Sequence, residues 1–127
     1  MAKKILIIDD EELITKTLLK LLNAKGYETT VARSGSETMD KIKKEDFDLI
    51  VTDVRMPEMD GIETIQAIRE YCFKQGKTSI PEIIITGYAD ENKYKSAVEM
   101  KVAAYIFKPF DTKEFLDTIK RTLDAKK

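Results

Sequence analysis

The chain has 127 residues, 43% of them hydrophobic, 8% aromatic and 35% charged, the profile of one ordinary globular domain whose core forms without disulfide or metal staples. Lysine plus arginine (22) nearly balances aspartate plus glutamate (23), so no basic excess is directed at nucleic acid or an anionic membrane. A single cysteine, Cys72, excludes an internal disulfide framework and suits a reducing compartment, and the lack of histidine removes the usual nucleophilic triads and any phosphohistidine of the chain's own.

The first element is Lys4 to Ile8, an apolar run entered directly from Met1-Ala2-Lys3 with no signal-peptide core; no run approaches membrane-span length, so the cytoplasm is expected. Four more strand-length runs follow: Glu28 to Ala32, Phe47 to Thr52, Glu82 to Thr86, and Ala103 to Phe107. Ile5-Leu6-Ile7-Ile8, Leu49-Ile50-Val51 and Ile83-Ile84-Ile85 are continuously apolar, as in strands covered on both faces, which argues for a parallel sheet.

Helical spacing fills the intervals. Ile14, Leu18, Leu21 and Leu22 share a face, as do Ile62, Ile65, Ile68 and Cys72, and then Phe115, Leu116, Ile119 and Leu123. Ser34-x-x-Glu37, Asp60-x-x-Glu63 and Asp111-x-x-Glu114 have capping-box spacing, and Gly26 suits a left-handed helix end. The segment Asp90 to Met100 is polar, with Tyr94, Ala97, Val98 and Met100 as its candidates for burial, and is expected to be the least firmly docked helix. Gly76-Lys77-Thr78 lacks the earlier glycine of a phosphate loop, position 71 being tyrosine, and reads as a surface turn. Strict alternation of strands and helices implies right-handed crossovers with helices on both faces of the sheet.

In such sheets ligands bind beyond the carboxyl ends of the strands. The first strand ends in Asp9-Asp10, the third in Asp53, the fourth in Thr86 and the fifth in Lys108-Pro109. Carboxylates on neighbouring strands, about 5 Å apart, repel by roughly 3 kcal/mol per pair at an effective dielectric of 20. A cation or a proton must relieve them, and oxygen-only ligation suits magnesium. Lys108 could bring a further positive charge on its long stem. An ionised aspartate needs no general base to act as a nucleophile, so the set fits phosphoryl transfer onto a carboxylate. Asp53, alone at a central strand end, is the candidate nucleophile; Asp9 and Asp10 are the metal-holding pair.

The motifs Asp9-Asp10-Glu11-Glu12, Thr52-Asp53-Val54-Arg55-Met56-Pro57-Glu58-Met59-Asp60-Gly61, Ile85-Thr86-Gly87-Tyr88-Ala89-Asp90 and Ala104-Tyr105-Ile106-Phe107-Lys108-Pro109-Phe110 resemble the receiver domain of two-component response regulators. The resemblance covers nearly the whole chain, read as a single domain over 1–127 with no output domain attached. It implies a flavodoxin-like, doubly wound, five-stranded parallel sheet in the order 2-1-3-4-5 with five helices. It also implies that Asp53 accepts a phosphoryl group from a sensor histidine kinase or phosphotransfer protein. Magnesium would be bound directly by Asp10, through water by Asp9, and by Asp53 and the backbone carbonyl of Arg55. Thr86 and Lys108 would engage the phosphoryl oxygens, Tyr105 would turn inward, and Lys108-Pro109 would be cis. An output surface is expected over the fourth helix, fifth strand and fifth helix, including Lys93, Lys95, Tyr105 and Lys113. Through it the domain would act on a downstream protein, as a monomer or a phosphorylation-linked dimer, and not itself on nucleic acid or membrane. Arg55 and Tyr88 occupy positions resembling those that tune dephosphorylation.

Other readings are weaker. A dehalogenase-type phosphatase needs a second acid two residues after its nucleophile, where this chain has Arg55. A passive binding module of the same fold would lack part of the acidic set that is present here. Singly, an aspartate after a strand is usually a turn former or cap, so the case rests on convergence at one sheet edge.

Overall fold

The computed structural model describes residues 2–54, 60–86 and 91–125. Strands and helices alternate as β1 (Lys4–Ile8), α1 (Glu12–Ala24), β2 (Glu28–Ala32), α2 (Gly35–Lys44), β3 (Leu49–Asp53), α3 (Gly61–Lys74), β4 (Glu82–Thr86), α4 (Glu91–Met100), β5 (Ala104–Phe107) and α5 (Thr112–Ala125). The strands form one parallel sheet in the order β2-β1-β3-β4-β5. The continuously apolar runs are the three interior strands; every residue of β3 and β4 is buried, as is β1 from Ile5 to Ile8. The third strand begins at Leu49, two residues later than the apolar run, and Phe47 instead packs as a core side chain ahead of it.

The pleat sends alternate side chains to opposite faces. Ile5, Ile7, Leu49, Val51, Ile83, Ile85 and Ile106 meet Leu18 and Leu22 of α1 and Phe115, Ile119 and Leu123 of α5. Leu6, Ile8 and Ile50 meet Ile42 of α2 with Ile68 and Cys72 of α3, and Ile84 packs with Val54, Ile62, Ile65 and Val102. Cys72 is a small buried hydrophobe, its thiol pKa pushed up by burial. The accessible surface is 7455 Å², against roughly 7,000 Å² from size scaling.

The helix ends follow their sequence signals. Ser34 Oγ accepts from the Glu37 amide at 3.1 Å, and Asp111 Oδ1 from the Glu114 amide at 2.6 Å. Asp60 and Glu63 form both halves of a capping box. Gly26, at φ 88°, ends α1 in the left-handed conformation that glycine adopts without steric cost. One expectation fails: Val98 is 45% exposed, because α4 turns that side chain away from the core that half-buried Met100 reaches. Tyr94 and Ala97 have side chains outside the described residues.

Gly61, the first residue of α3, donates its amide to the Val54 carbonyl at 2.8 Å, and a Cβ there would collide with the backbone carbonyl of Asp53. Gly61→Ala is therefore expected to cost about 1–3 kcal/mol, the range for overpacking a tight site, read as a lower urea unfolding midpoint with unchanged slope.

Candidate functional site

Strand alternation decides which side chains meet at the carboxyl edge. Asp53, the last residue of β3, follows Leu49 and Val51 on the face covered by α1 and α5. Asp9 follows Ile5 and Ile7 on that face, and its amide extends the ladder by donating to the Ala32 carbonyl at 3.1 Å. Lys108 follows Ile106 by two residues, its amide donating to the Thr86 carbonyl at 2.8 Å. A period of two thus lines up Asp9, Asp53 and Lys108 over one face, although they come from three different strands.

Lys108 spans the width of β4 to reach Asp53, its Nζ donating to Oδ2 at 3.0 Å. Asp53 and Asp9 are 5% and 2% exposed. Asp9 Oδ1 accepts the Glu11 amide at 2.9 Å. Carboxylate oxygens of Asp9, Glu11 and Asp53 lie within 4.8 Å of one another, the one such acidic group among the described residues. The Lys108–Pro109 peptide bond is cis.

Asp10 is exposed and outside this group, whose third place is taken by Glu11. The reason is the pleat: of two adjacent acids only one can follow Ile5 and Ile7 onto the covered face. Glu11 was legible only as the third acid of the run after the first strand; its place depends on how the chain turns into α1. Thr86 is wholly buried at the end of β4, in register with Phe107, and alternation puts its side chain on the face of Ile84. Tyr105, in register with Ile84, is half-buried on that same side, beside Val54, Ile62, Ile65 and Val102. Asp53 faces the opposite side of the sheet from this pair. Arg55 and Tyr88 lie outside the described residues.

Burial raises the Asp9 pKa to about 6; the charges of Asp53 and Glu11 add to the effect, while the Glu11 amide and Lys108 oppose it. At Lys108 burial works against the ammonium, yet the hydrogen bond it donates to Asp53 and the charges of Asp53, Asp9 and Glu11 outweigh it, so its pKa lies above the ordinary lysine value. The pocket therefore carries excess negative charge that one ammonium balances only in part. Its donors are all carboxylate oxygens, the chemistry that magnesium takes, so the residues present fit that ion. A buried, ionisable carboxylate beside a fixed ammonium is suited to receive a phosphoryl group, with Lys108 balancing the charge that arrives.

The raised Asp9 pKa has a definite sign. The folded chain holds the Asp9 proton more tightly than the unfolded chain, so between about pH 4 and pH 6 this group makes stability fall as pH rises, by on the order of 3 kcal/mol in all. Asp9→Asn is expected to remove that loss, making the metal-free protein more stable than wild type at pH 7 and flattening the stability profile between pH 4 and 6, as measured by urea unfolding.

Comparison with known proteins agrees with this geometry. The family model described as the response regulator receiver domain matches residues 5–120. The chain is 33% identical to the polar-differentiation response regulator DivK of Brucella ovis, with 97% of this chain and 98% of the relative covered. It is also 33% identical to sporulation initiation phosphotransferase F of Bacillus subtilis, with 99% and 98% covered. Among solved structures, a CheY-like receiver domain protein from Methanospirillum hungatei superposes with a TM-score of 0.87 at 31% identity, over 98% of this chain and 96% of that one. With a matching family model over most of its length and these relatives, the chain belongs to the response regulator receiver domain family.

Proposed function

We propose that the chain is a phosphorylation-controlled switch whose phosphoacceptor is Asp53. One observation carries the reading: the Asp53 carboxylate, buried at the end of a central strand, is hydrogen-bonded by Lys108 at 3.0 Å and shares its pocket with Asp9 and Glu11. An Asp53 oxygen attacks the phosphorus of a phosphohistidine on a sensor kinase or phosphotransfer protein. The P–N bond breaks, its electron pair stays with the imidazole nitrogen, and an acyl phosphate forms on Asp53. Lys108 balances the charge that this adds. Magnesium would be held by Asp53 and Asp9 together with Asp10, Glu11 and the backbone carbonyl of Arg55. When bound, it neutralises carboxylate and phosphoryl charge.

The new phosphoryl oxygens seek donors. Thr86, at the end of the adjoining strand, supplies a hydroxyl that turns from the Ile84 side of the sheet to meet them. Drawing it toward Asp53 vacates space on the Ile84 side, into which Tyr105 turns. The change would be read at α4, β5 and α5, where Lys95 and Val98 are exposed and Phe107 is 40% exposed, and it would control a downstream protein partner. Lys93 belongs to the same proposed surface, with a side chain outside the described residues. No helix among the described residues is long and apolar enough to cross a membrane, and we place the switch in the cytoplasm.

The phosphodonor also has a seat. Leu13, 79% exposed on α1, rims a groove of about 570 Å³ that also includes Ile14, Thr17, Lys108, Pro109 and Phe110. Its apolar wall reaches Lys108, so a donor helix lying on it would bring its phosphohistidine to Asp53.

Two outcomes test this. With magnesium and radiolabelled acetyl phosphate, the wild type is expected to label and Asp53→Asn to lose at least 100-fold of the signal; equal labelling removes the assignment. Leu13→Glu is expected to lower kcat/KM for transfer from a phosphorylated donor protein about ten-fold, the effect of desolvating a charge in an apolar contact, with acetyl phosphate labelling unchanged.

A further inference from the structure

At the opposite edge of the sheet from Asp53, one cation joins three elements. Arg69, on α3, grips Glu82, the first residue of β4, through both prongs of its guanidinium: Nε to Oε2 and Nη2 to Oε1, each at 2.8 Å. Its remaining prong, Nη1, donates to the backbone carbonyl of Met100 at 2.8 Å, the last residue of α4. Glu82 is 4% exposed, so this is a fork-to-fork pair with one partner almost fully withdrawn from water.

The chain after Met100 is tied to the same place. Lys101 takes a left-handed φ of 58°, with its amide on the Val98 carbonyl at 3.1 Å, and the Ala103 amide donates to the Glu82 carbonyl at 2.9 Å. Met100 packs beside Ile84 and Ile65, and Val102 is buried. Immediately before this anchored end, Val98 and Glu99 are exposed. A bidentate ion pair to a buried carboxylate defines direction as well as distance, because the planar guanidinium cannot rotate without losing one of its three acceptors.

We infer that Arg69 is a positioning residue for the switch, fixing the carboxyl end of α4 against α3 and β4 so that the helix responds to phosphorylation by pivoting about Met100. This rests on the reading of Asp53 as phosphoacceptor and extends it: the Thr86 end of β4 supplies the push, and the Glu82 end of the same strand supplies the fixed point. A helix held at one end converts a small displacement near Thr86 into a rotation whose amplitude grows with distance from Met100. Without the clamp, the same displacement is spent on sliding the whole helix.

The test uses the full chain and backbone amide NMR, with and without magnesium and beryllium fluoride as the phosphoryl mimic. Two variants avoid leaving Glu82 buried and unpaired: Arg69→Lys, which keeps the charge but not the fork, and the double substitution Arg69→Met with Glu82→Met, which removes both charges. In wild type, the mimic is expected to shift amides in the first two turns of α4 at least three-fold more than those of Met100 to Ala103. In both variants, the response is expected to spread to Met100 to Ala103, where amide hydrogen exchange should quicken about ten-fold. If the wild-type shifts are equally large at Met100 to Ala103, or if both variants keep the wild-type gradient, the pivot is wrong while Asp53 phosphorylation stands. If the mimic shifts no amide around Asp53, the phosphoacceptor reading fails and the pivot with it.

Discussion

Two carboxylates, Asp9 and Asp53, stand nearly out of water on adjacent interior strands, where their mutual repulsion calls for positive charge close at hand. Much of the rest of the structure can be understood as managing that conflict. Lys108 crosses from the edge strand to hydrogen-bond one of the pair. The other responds through its affinity for protons, with its pKa raised to about 6. Glu11 increases the deficit of positive charge, so the pocket is left receptive to a hard divalent ion. A site of this kind need not move in order to capture charge; it is organised before any partner arrives.

The sheet makes that organisation cheap in conformational terms. Three interior strands bury almost every side chain on both faces, and their parallel register brings equivalent ends to one edge. The side chains that ride on the α1 and α5 face become the charged pocket where the apolar run stops. Those on the other face continue into Thr86 and Tyr105. The partition puts the acidic pocket and the Thr86–Tyr105 pair on opposite faces of one sheet, with strand β4 between them. Arg69 and Glu82 lie at the far end of that same strand, remote from the acidic pocket but coupled to α4 through a single guanidinium.

The interior strands and the helix ends were legible because local chemistry determines them, whereas the strand order followed from the resemblance to receiver domains. Continuous runs such as Ile83-Ile84-Ile85 can only be covered on both faces, and Asp60 with Glu63 closes a capping box from residues three apart. The residues ending the strands were legible for the same reason, since each immediately follows an apolar run. What could not be read depended on contacts between distant segments. Nothing in Asp9-Asp10-Glu11 says which acid turns inward until the pleat of β1 is registered against β2 and β3. Val98 has the spacing of a packed residue, but the pose of α4 is set by Met100 and the contacts beyond it. Arg69 and Glu82 are thirteen positions apart, outside any helical or strand repeat, so no local rule pairs them.

Cys72 is the chain's only thiol and lies 3% exposed on the sheet-facing side of α3, with a pKa raised by burial. Little thiolate forms there at neutral pH, and reagents have poor access to what does form. The native thiol is accordingly expected to react slowly with maleimides and iodoacetamides. A cysteine introduced at any exposed position would therefore take a fluorophore or spin label by itself, with the wild-type thiol left in place, and distances between two such labels could follow the helices in solution without redesigning the core.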